Sequence, residues 1–251
     1  MGIDFAIRPS GGGYRGVLLD WRGTLVVAPT DRWLVRTALR SIGRDGSSSE
    51  ADEVLKLLRA ADSTAVDSSA IDTDPALHRA AFFSWFAEAG LDGPLSEALY
   101  AVESDVALNP FANDVGRLLR ALRRAGVRVG ILSDIHVDLR PAFARHHNAD
   151  GSTWADLVDA WVLSFELGVA KPNPKIFAIA LERLGLPAHE VLMVGDRGAW
   201  DGAAAEAGIT TLILPPLRAV DEERLNRVLD LAIPGHGPWV SNDGTLGRIR
   251  P

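Results

Sequence analysis

The stretch Val17-Leu18-Leu19-Asp20-Trp21-Arg22-Gly23-Thr24-Leu25 constrains this chain most. A short apolar run ends on an acid, and a Gly-Thr turn follows it. A buried strand built from that run delivers Asp20 to its carboxyl end. In an open α/β sheet, ligands bind outside the carboxyl ends of the strands. The question for the rest of the chain is which polar groups gather around Asp20.

Residues 15–20 read as the first strand, preceded over 1–14 by a loose, Gly-rich arm. From Asp31 to about Leu108 apolar residues recur at helical spacing in four segments, marked by Trp33/Leu34/Ala38/Leu39, Val54/Leu55/Leu58, Leu77/Phe82/Trp85/Phe86 and Leu95/Leu99/Val102. Ser49 and Asp74-Pro75 look like helix starts, and Gly46 and Gly90 like stops. After Asn109-Pro110 the texture alternates. Helices are expected over 114–125, 174–184, 199–207 and 220–231. Strands are expected over 127–132, 158–165, 190–194 and 209–214. Such alternation implies βαβ units and a parallel sheet. The expected fold is therefore α/β: a Rossmann-like three-layer core from 1–28 and 109–233, an all-helical module over 29–108, and an irregular tail over 234–251.

Composition narrows the partners. Apolar residues make up 47% of 251, enough for a sizeable core, and the formal net charge is −7. An acidic chain is a poor nucleic-acid binder. The arginines at 117, 120, 123, 124 and 128 read as a solvated helix face. There is no cysteine, so disulfides and thiolate metal sites are excluded. No run is long and apolar enough for a membrane span, and no signal peptide is evident. The expectation is a soluble, cytoplasmic protein that acts on a small molecule. The sequence leaves the oligomeric state open.

Polar groups follow several apolar runs: Asp20, Ser133-Asp134, Lys171, and Asp196 with Asp201. The set suits phosphoryl transfer through a carboxylate, with Asp20 as nucleophile. Two carboxylates facing a phosphate repel it, and a divalent cation answers that problem. Mg²⁺ prefers oxygen ligands, one or two of them carboxylates. Asp20 and Asp196 are candidate ligands. Asp201 can orient a ligand water or hold Lys171. Lys171 neutralises charge, and Ser133 Oγ with nearby backbone N–H groups can bind phosphoryl oxygens.

These residues sit in four ordered motifs: Leu19–Leu25, Ile131-Leu132-Ser133-Asp134, Gly168–Phe177 around Lys171, and Val194-Gly195-Asp196-Arg197-Gly198-Ala199-Trp200-Asp201. Over roughly residues 15 to 232 the chain resembles the haloacid dehalogenase-like (HAD) hydrolase superfamily. The resemblance implies a Rossmann-like core with a helical cap inserted after the first motif. It implies Asp20 as nucleophile, Ser133 and Lys171 at the phosphate site, Asp196 as a Mg²⁺ ligand and Asp201 as the second acid of its motif. Asp134 is included among the phosphate-site candidates. Most phosphatases of the family carry an acid/base Asp two residues after the nucleophile. Here that residue is Arg22, which cannot exchange a proton. Its backbone C=O is kept as a metal ligand. Its side chain either pairs with Asp134 or a cap carboxylate, or binds an anionic substrate group.

The resulting expectation is a Mg²⁺-dependent phosphatase of a small phosphorylated metabolite. One alternative is a weak or inactive binding protein, because of Arg22. Another is a phosphonatase-like or dehalogenase-like hydrolase. Trp21 fits the phosphonatases, but the only lysine of the helical module, Lys56, reads as a surface residue. Gly195-Asp196 speaks against a dehalogenase. His136, His146, His147 and His236 read as surface or packing residues, and Phe82, Phe83, Trp85 and Phe86 as the core of the helical module.

Overall fold

The apolar runs of the sequence pair side by side. In the computed structural model, which describes residues 12–235, they form five parallel strands. These are β1 (Gly16–Leu19), β2 (Arg128–Ser133), β3 (Ala160–Leu163), β4 (Val191–Gly195) and β5 (Thr210–Ile213), in the order β3-β2-β1-β4-β5. Most of the arm expected over 1–14, and most of the tail, with His236, lie outside the described residues.

β1 occupies the centre, with β2 on one side and β4 on the other. Leu19 is in register with both Ile131 and Val194. The sheet order reverses between β1 and β4, so their carboxyl ends flank the crevice where open sheets bind ligands. Alternation in β1 then builds the layers. Val17 and Leu19 face one apolar cluster with Val129, Ile131, Leu118, Leu122, Phe143 and Val228. Leu18 faces the other, with Val162, Ile176, Phe177, Ala180 and Met193.

Between β1 and β2 the chain forms α1 (Asp31–Ser41), α2 (Ser48–Ala60), α3 (Pro75–Glu88) and α4 (Gly93–Ser104). Each has a side-chain N-cap: Thr30, Ser47, Asp74 and Asp92. Such caps satisfy backbone donors that the helix itself leaves free. Their apolar faces share a separate core containing Val35, Leu39, Leu55, Phe86, Leu99 and Val102. α2 starts before Ser49, because Ser47 accepts the Glu50 N–H while Glu50 returns a carboxylate to the Gly46 N–H. That reciprocal arrangement resembles a capping box, and Gly46 belongs to this entry turn rather than to the end of α1.

The remaining helices are α5 (Val115–Arg124), α6 (Arg140–Ala144), α7 (Ser164–Leu167), α8 (Pro174–Leu184) and α9 (Asn226–Ala232). Three expectations shift here. The strand expected over 158–165 is shorter, because Asp159 is drawn to the Val129 N–H (2.8 Å) and Ser164 opens α7. The helix expected over 199–207 is a 3-10 helix, Asp201–Ala207. The helix expected over 220–231 begins only at Asn226. Arg224 is instead buried, donating to the carbonyls of Pro215, Gly23 and Thr24. No helix among the described residues is long and apolar enough to cross a membrane.

Candidate active site

Asp20 follows β1 directly, and its N–H donates to the Val194 carbonyl at 2.9 Å. Its neighbours diverge. Trp21 is buried against Phe111 and Phe143 in the core. The carboxylate of Asp20 instead lines a cavity of about 350 Å³ at the carboxyl edge of the sheet. A larger cleft of about 530 Å³, near Phe111, His146 and Trp154, does not include Asp20.

Lys171 is fully buried and reaches Asp20 from the loop before α8. Its Nζ donates to Asp20 Oδ1 at 2.7 Å and to Asp201 Oδ1 at 2.6 Å. Burial opposes the Lys171 charge, but Asp20, Asp134 and Asp201 outweigh it and raise its pKa, so it stays an ammonium. Burial raises the Asp20 pKa, against the pull of Lys171. Thr24 Oγ1 donates to Asp20 Oδ2 at 3.3 Å.

Asp201 is fully committed. Its Oδ2 accepts from the N–H groups of Asp196 (3.1 Å) and Arg197 (2.9 Å), while its Oδ1 holds Lys171. It thus shapes the loop that presents Asp196. That shape depends on Gly195, where a Cβ would fall 2.1 Å from Asp201 Cγ. Gly195→Ala is expected to displace Asp201 and to cost about 1–3 kcal/mol, as overpacking does. Urea unfolding measures this, and an unchanged midpoint would contradict it. Gly23 performs the matching role across the cavity. It has φ +78°, and a Cβ there would lie 2.3 Å from Asp196 Oδ2.

Asp196 Oδ1 is buried and has no hydrogen-bond partner. Burial first, then Asp20 and Asp201, push its pKa up to about 6. Ligand oxygens of Asp20, Asp196 and Asp201 lie within 4.8 Å of one another. Crowded carboxylates with an orphaned oxygen, all oxygen donors, fit a small hard cation such as Mg²⁺.

Ser133 ends β2, is nearly buried and lines the same cavity. Asp134 lines the cavity as well, and its Oδ2 is buried without a hydrogen-bond partner. Its Oδ1 accepts the Lys171 backbone N–H at 2.8 Å, and burial raises its pKa. Arg22 does not pair with Asp134. It donates to Asn109 Oδ1 (3.1 Å), Glu103 Oε1 (2.5 Å) and the Glu103 carbonyl (2.9 Å). The guanidinium therefore joins the loop after β1 to the end of α4. Arg22→Ala is expected to cost about 1–3 kcal/mol, the range for charge-assisted bonds. A denaturation midpoint equal to that of the native chain would refute this link.

Of the sequence-expected set, Asp20, Ser133, Asp134 and Asp196 thus line one cavity floor, with Lys171 and Asp201 buried behind Asp20. A helical insertion near Asp20 is expected from the sequence, but the polar residues it brings to the cavity are not. Asp72, His78, Phe82 and Glu103 line the cavity from the helical insertion, and His136 and Arg197 from the core. His136 is buried at the cavity wall, so it is not a surface residue. The available signal was His78, which shares helical spacing with Phe82 and Phe86 and is therefore a polar group on an apolar stripe. Lys56 is exposed on α2 and does not line the cavity.

Comparison with known proteins agrees with this architecture. The chain is 34% identical over 127 residues to the pyrimidine 5'-nucleotidase YjjG of Escherichia coli, covering 50% of this chain and 53% of that one. It is 31% identical over 99 residues to an (S)-2-haloacid dehalogenase of Pseudomonas fluorescens, covering 39% and 40%. These matches span about half or less of the curated relatives' length. A HAD-family enzyme of Bacteroides thetaiotaomicron, solved with magnesium and inorganic phosphate, shares the fold at a TM-score of 0.57. It is 19% identical, and the match covers 86% of this chain and 99% of that one. A family model matches residues 14–208, from the residue before β1's approach to the end of the 3-10 helix after β4, and on that match the chain belongs to the haloacid dehalogenase-like hydrolase family.

Proposed function

We propose that the protein is a Mg²⁺-dependent phosphatase of a small phosphorylated metabolite, with Asp20 as nucleophile. The observation that carries this reading is the pairing of Asp20 with buried Lys171 beside the orphaned Asp196 oxygen. Lys171 fixes one Asp20 oxygen, and the other, held only by a long Thr24 contact, is the one to attack phosphorus. The attack forms an acyl phosphate on Asp20 and breaks the ester phosphorus–oxygen bond, the leaving oxygen taking its proton from cavity solvent; water then attacks phosphorus, releasing inorganic phosphate and regenerating the carboxylate. Mg²⁺, held by Asp20, Asp196 and the Arg22 carbonyl, would supply charge neutralisation for the phosphoryl oxygens. Ser133 Oγ binds one of those oxygens, and Asp134 positions the Lys171 loop. The helical insertion acts as a cap whose Phe82 and Glu103 face the rest of the substrate.

Removal of the metal tests this directly. Chelator-treated protein should lose about 10²-fold or more of its aryl-phosphate turnover, the scale of losing a key electrostatic contact. Added Mg²⁺ should restore it in the native chain but not in Asp196→Asn. Undiminished turnover in chelator, or halide release from a 2-haloacid without metal, would reject the reading.

Arg22 favours a second reading, a binder with little turnover. Its guanidinium is tied to Glu103 and cannot protonate a leaving alcohol, assistance that typically contributes about 10²–10⁴-fold. Tight binding of a phosphorylated metabolite with no phosphate release over hours would select it.

A further inference from the structure

The cavity roof contains a second group of potential ligands, separate from the acids on its floor. Asp72 lies in the 3-10 turn Ser69–Thr73, His78 on α3, and His136 in the loop after β2. His78 Nε2 stands 3.7 Å from Asp72 Oδ1, and His136 Nδ1 stands 3.9 Å from the same oxygen. The two imidazoles are stacked, 12° apart in plane and 3.4 Å between centroids, so a cation lying in the plane of each ring requires the rings to splay apart as it binds.

These separations are too long for hydrogen bonds. They are close to what a shared cation requires. Bonds of about 2.0–2.1 Å in tetrahedral geometry put neighbouring donors about 3.3 Å apart. Each nitrogen is about half an ångström further from Asp72 Oδ1 than in such a chelate, and all three donor atoms fall within 4.8 Å of one another.

The surroundings are arranged as they are around metal-bound histidines. Such a histidine nearly always hydrogen-bonds through its other ring nitrogen, which fixes its orientation. His78 Nδ1 meets Tyr100 Oη at 3.3 Å, and His136 Nε2 meets Ser104 Oγ at 2.9 Å. The backbones on either side are fastened together as well. Ser164 Oγ, fully buried, accepts the Ile135 N–H at 2.8 Å and donates to the Asp72 carbonyl at 2.7 Å. Burial keeps both imidazoles neutral, with pKa values of about 4 for His78 and about 3 for His136, which leaves their lone pairs available.

We propose that Asp72, His78 and His136 form a binding site for a first-row transition cation, Zn²⁺ or one of its neighbours, which fastens the helical insertion to the core over the Asp20 cavity. Two imidazoles and one carboxylate suit Zn²⁺, Co²⁺ or Ni²⁺, whereas the all-oxygen cluster below suits Mg²⁺. Two ligands come from the insertion and one from the core, so binding draws the cap toward the loop after β2, which carries Asp134. All three residues line the cavity, so its solvent completes the coordination. The inference does not depend on the phosphatase reading, and its test does not read activity.

Untagged, chelator-treated protein is titrated with ZnCl₂ in excess Mg²⁺ by calorimetry, and the zinc-loaded form is examined by X-ray absorption. One equivalent should bind, with two imidazole nitrogens in the first coordination sphere. His78→Gln and His136→Ala should each weaken binding at least tenfold, and Ser104→Ala about tenfold through the outer nitrogen. Asp196→Asn should bind zinc as the native chain does. The proposal is overturned if the native chain takes up no zinc, if its spectrum shows oxygen ligands alone, or if Asp196→Asn abolishes binding while the histidine variants retain it. The spectrum of the native chain decides the matter even where a histidine variant fails to fold.

Discussion

Asp20→Asn should abolish Mg²⁺-dependent phosphate release while leaving the chain folded. The amide is nearly isosteric and keeps an oxygen for Lys171, but it cannot form an acyl phosphate. Loss of a nucleophile removes chemistry rather than binding, so turnover should fall by about 10⁴-fold or more, with inorganic phosphate still bound. Asp20 lies at the switch point between β1 and β4, and its strand is buried on both faces. A change of one atom there should leave the sheet unaltered. A circular-dichroism melt close to that of the native chain, together with residual activity below about one part in 10⁴, is the expected pair of results. An Asp20→Asn protein that still turns over at a tenth of the native rate would remove Asp20 from the chemistry.

Lys171→Met should act on stability and activity together. The side chain is completely buried and pairs with Asp20 and Asp201 at 2.7 and 2.6 Å. Deleting one partner of a buried pair leaves uncompensated charge, at a cost of about 3–5 kcal/mol. That is a large share of a total stability of about 5–15 kcal/mol. Asp201 also organises the N–H groups of Asp196 and Arg197, so its displacement should propagate to the candidate metal ligand. Combining Lys171→Met with Asp201→Asn should restore part of the stability, because the neutral amide no longer needs the ammonium. Urea unfolding of the two single variants and the double variant measures this. If the double variant is as unstable as the sum of the single ones, the two side chains are not coupled.

The floor of the site could be read from sequence because each of its residues is announced locally. Asp20, Ser133 and Asp196 each follow or end a short apolar run, and a parallel sheet brings such ends to one edge. Lys171 sits before Pro172 and the Asn173 cap of α8, within a motif that spans only a few residues. The roof had no such local signal. His136 is distant in the chain from Asp72 and His78, and only the docking of α3 and its preceding turn against the loop after β2 joins the three. Arg224 illustrates the same limit. It falls within the helix expected over 220–231, yet it is buried outside any helix and bonded to the carbonyls of Gly23 and Thr24. Its recruitment there is also why α9 begins later than its helical pattern predicts. The role of Arg22 was partly legible. Sequence shows that the usual acid is missing, and packing supplies Glu103 as the partner.

The central claim is that a phosphoryl group passes through the Asp20 carboxylate. The most direct measurement quenches the enzyme during steady turnover of an aryl phosphate with Mg²⁺, treats it with borohydride and maps the peptides by mass spectrometry. An acyl phosphate on Asp20 is reduced to the side-chain alcohol, so homoserine should appear at position 20 and nowhere else, and only when substrate and Mg²⁺ are both present. Steady phosphate release without reduction at position 20, or with reduction at Asp196 instead, would contradict the account.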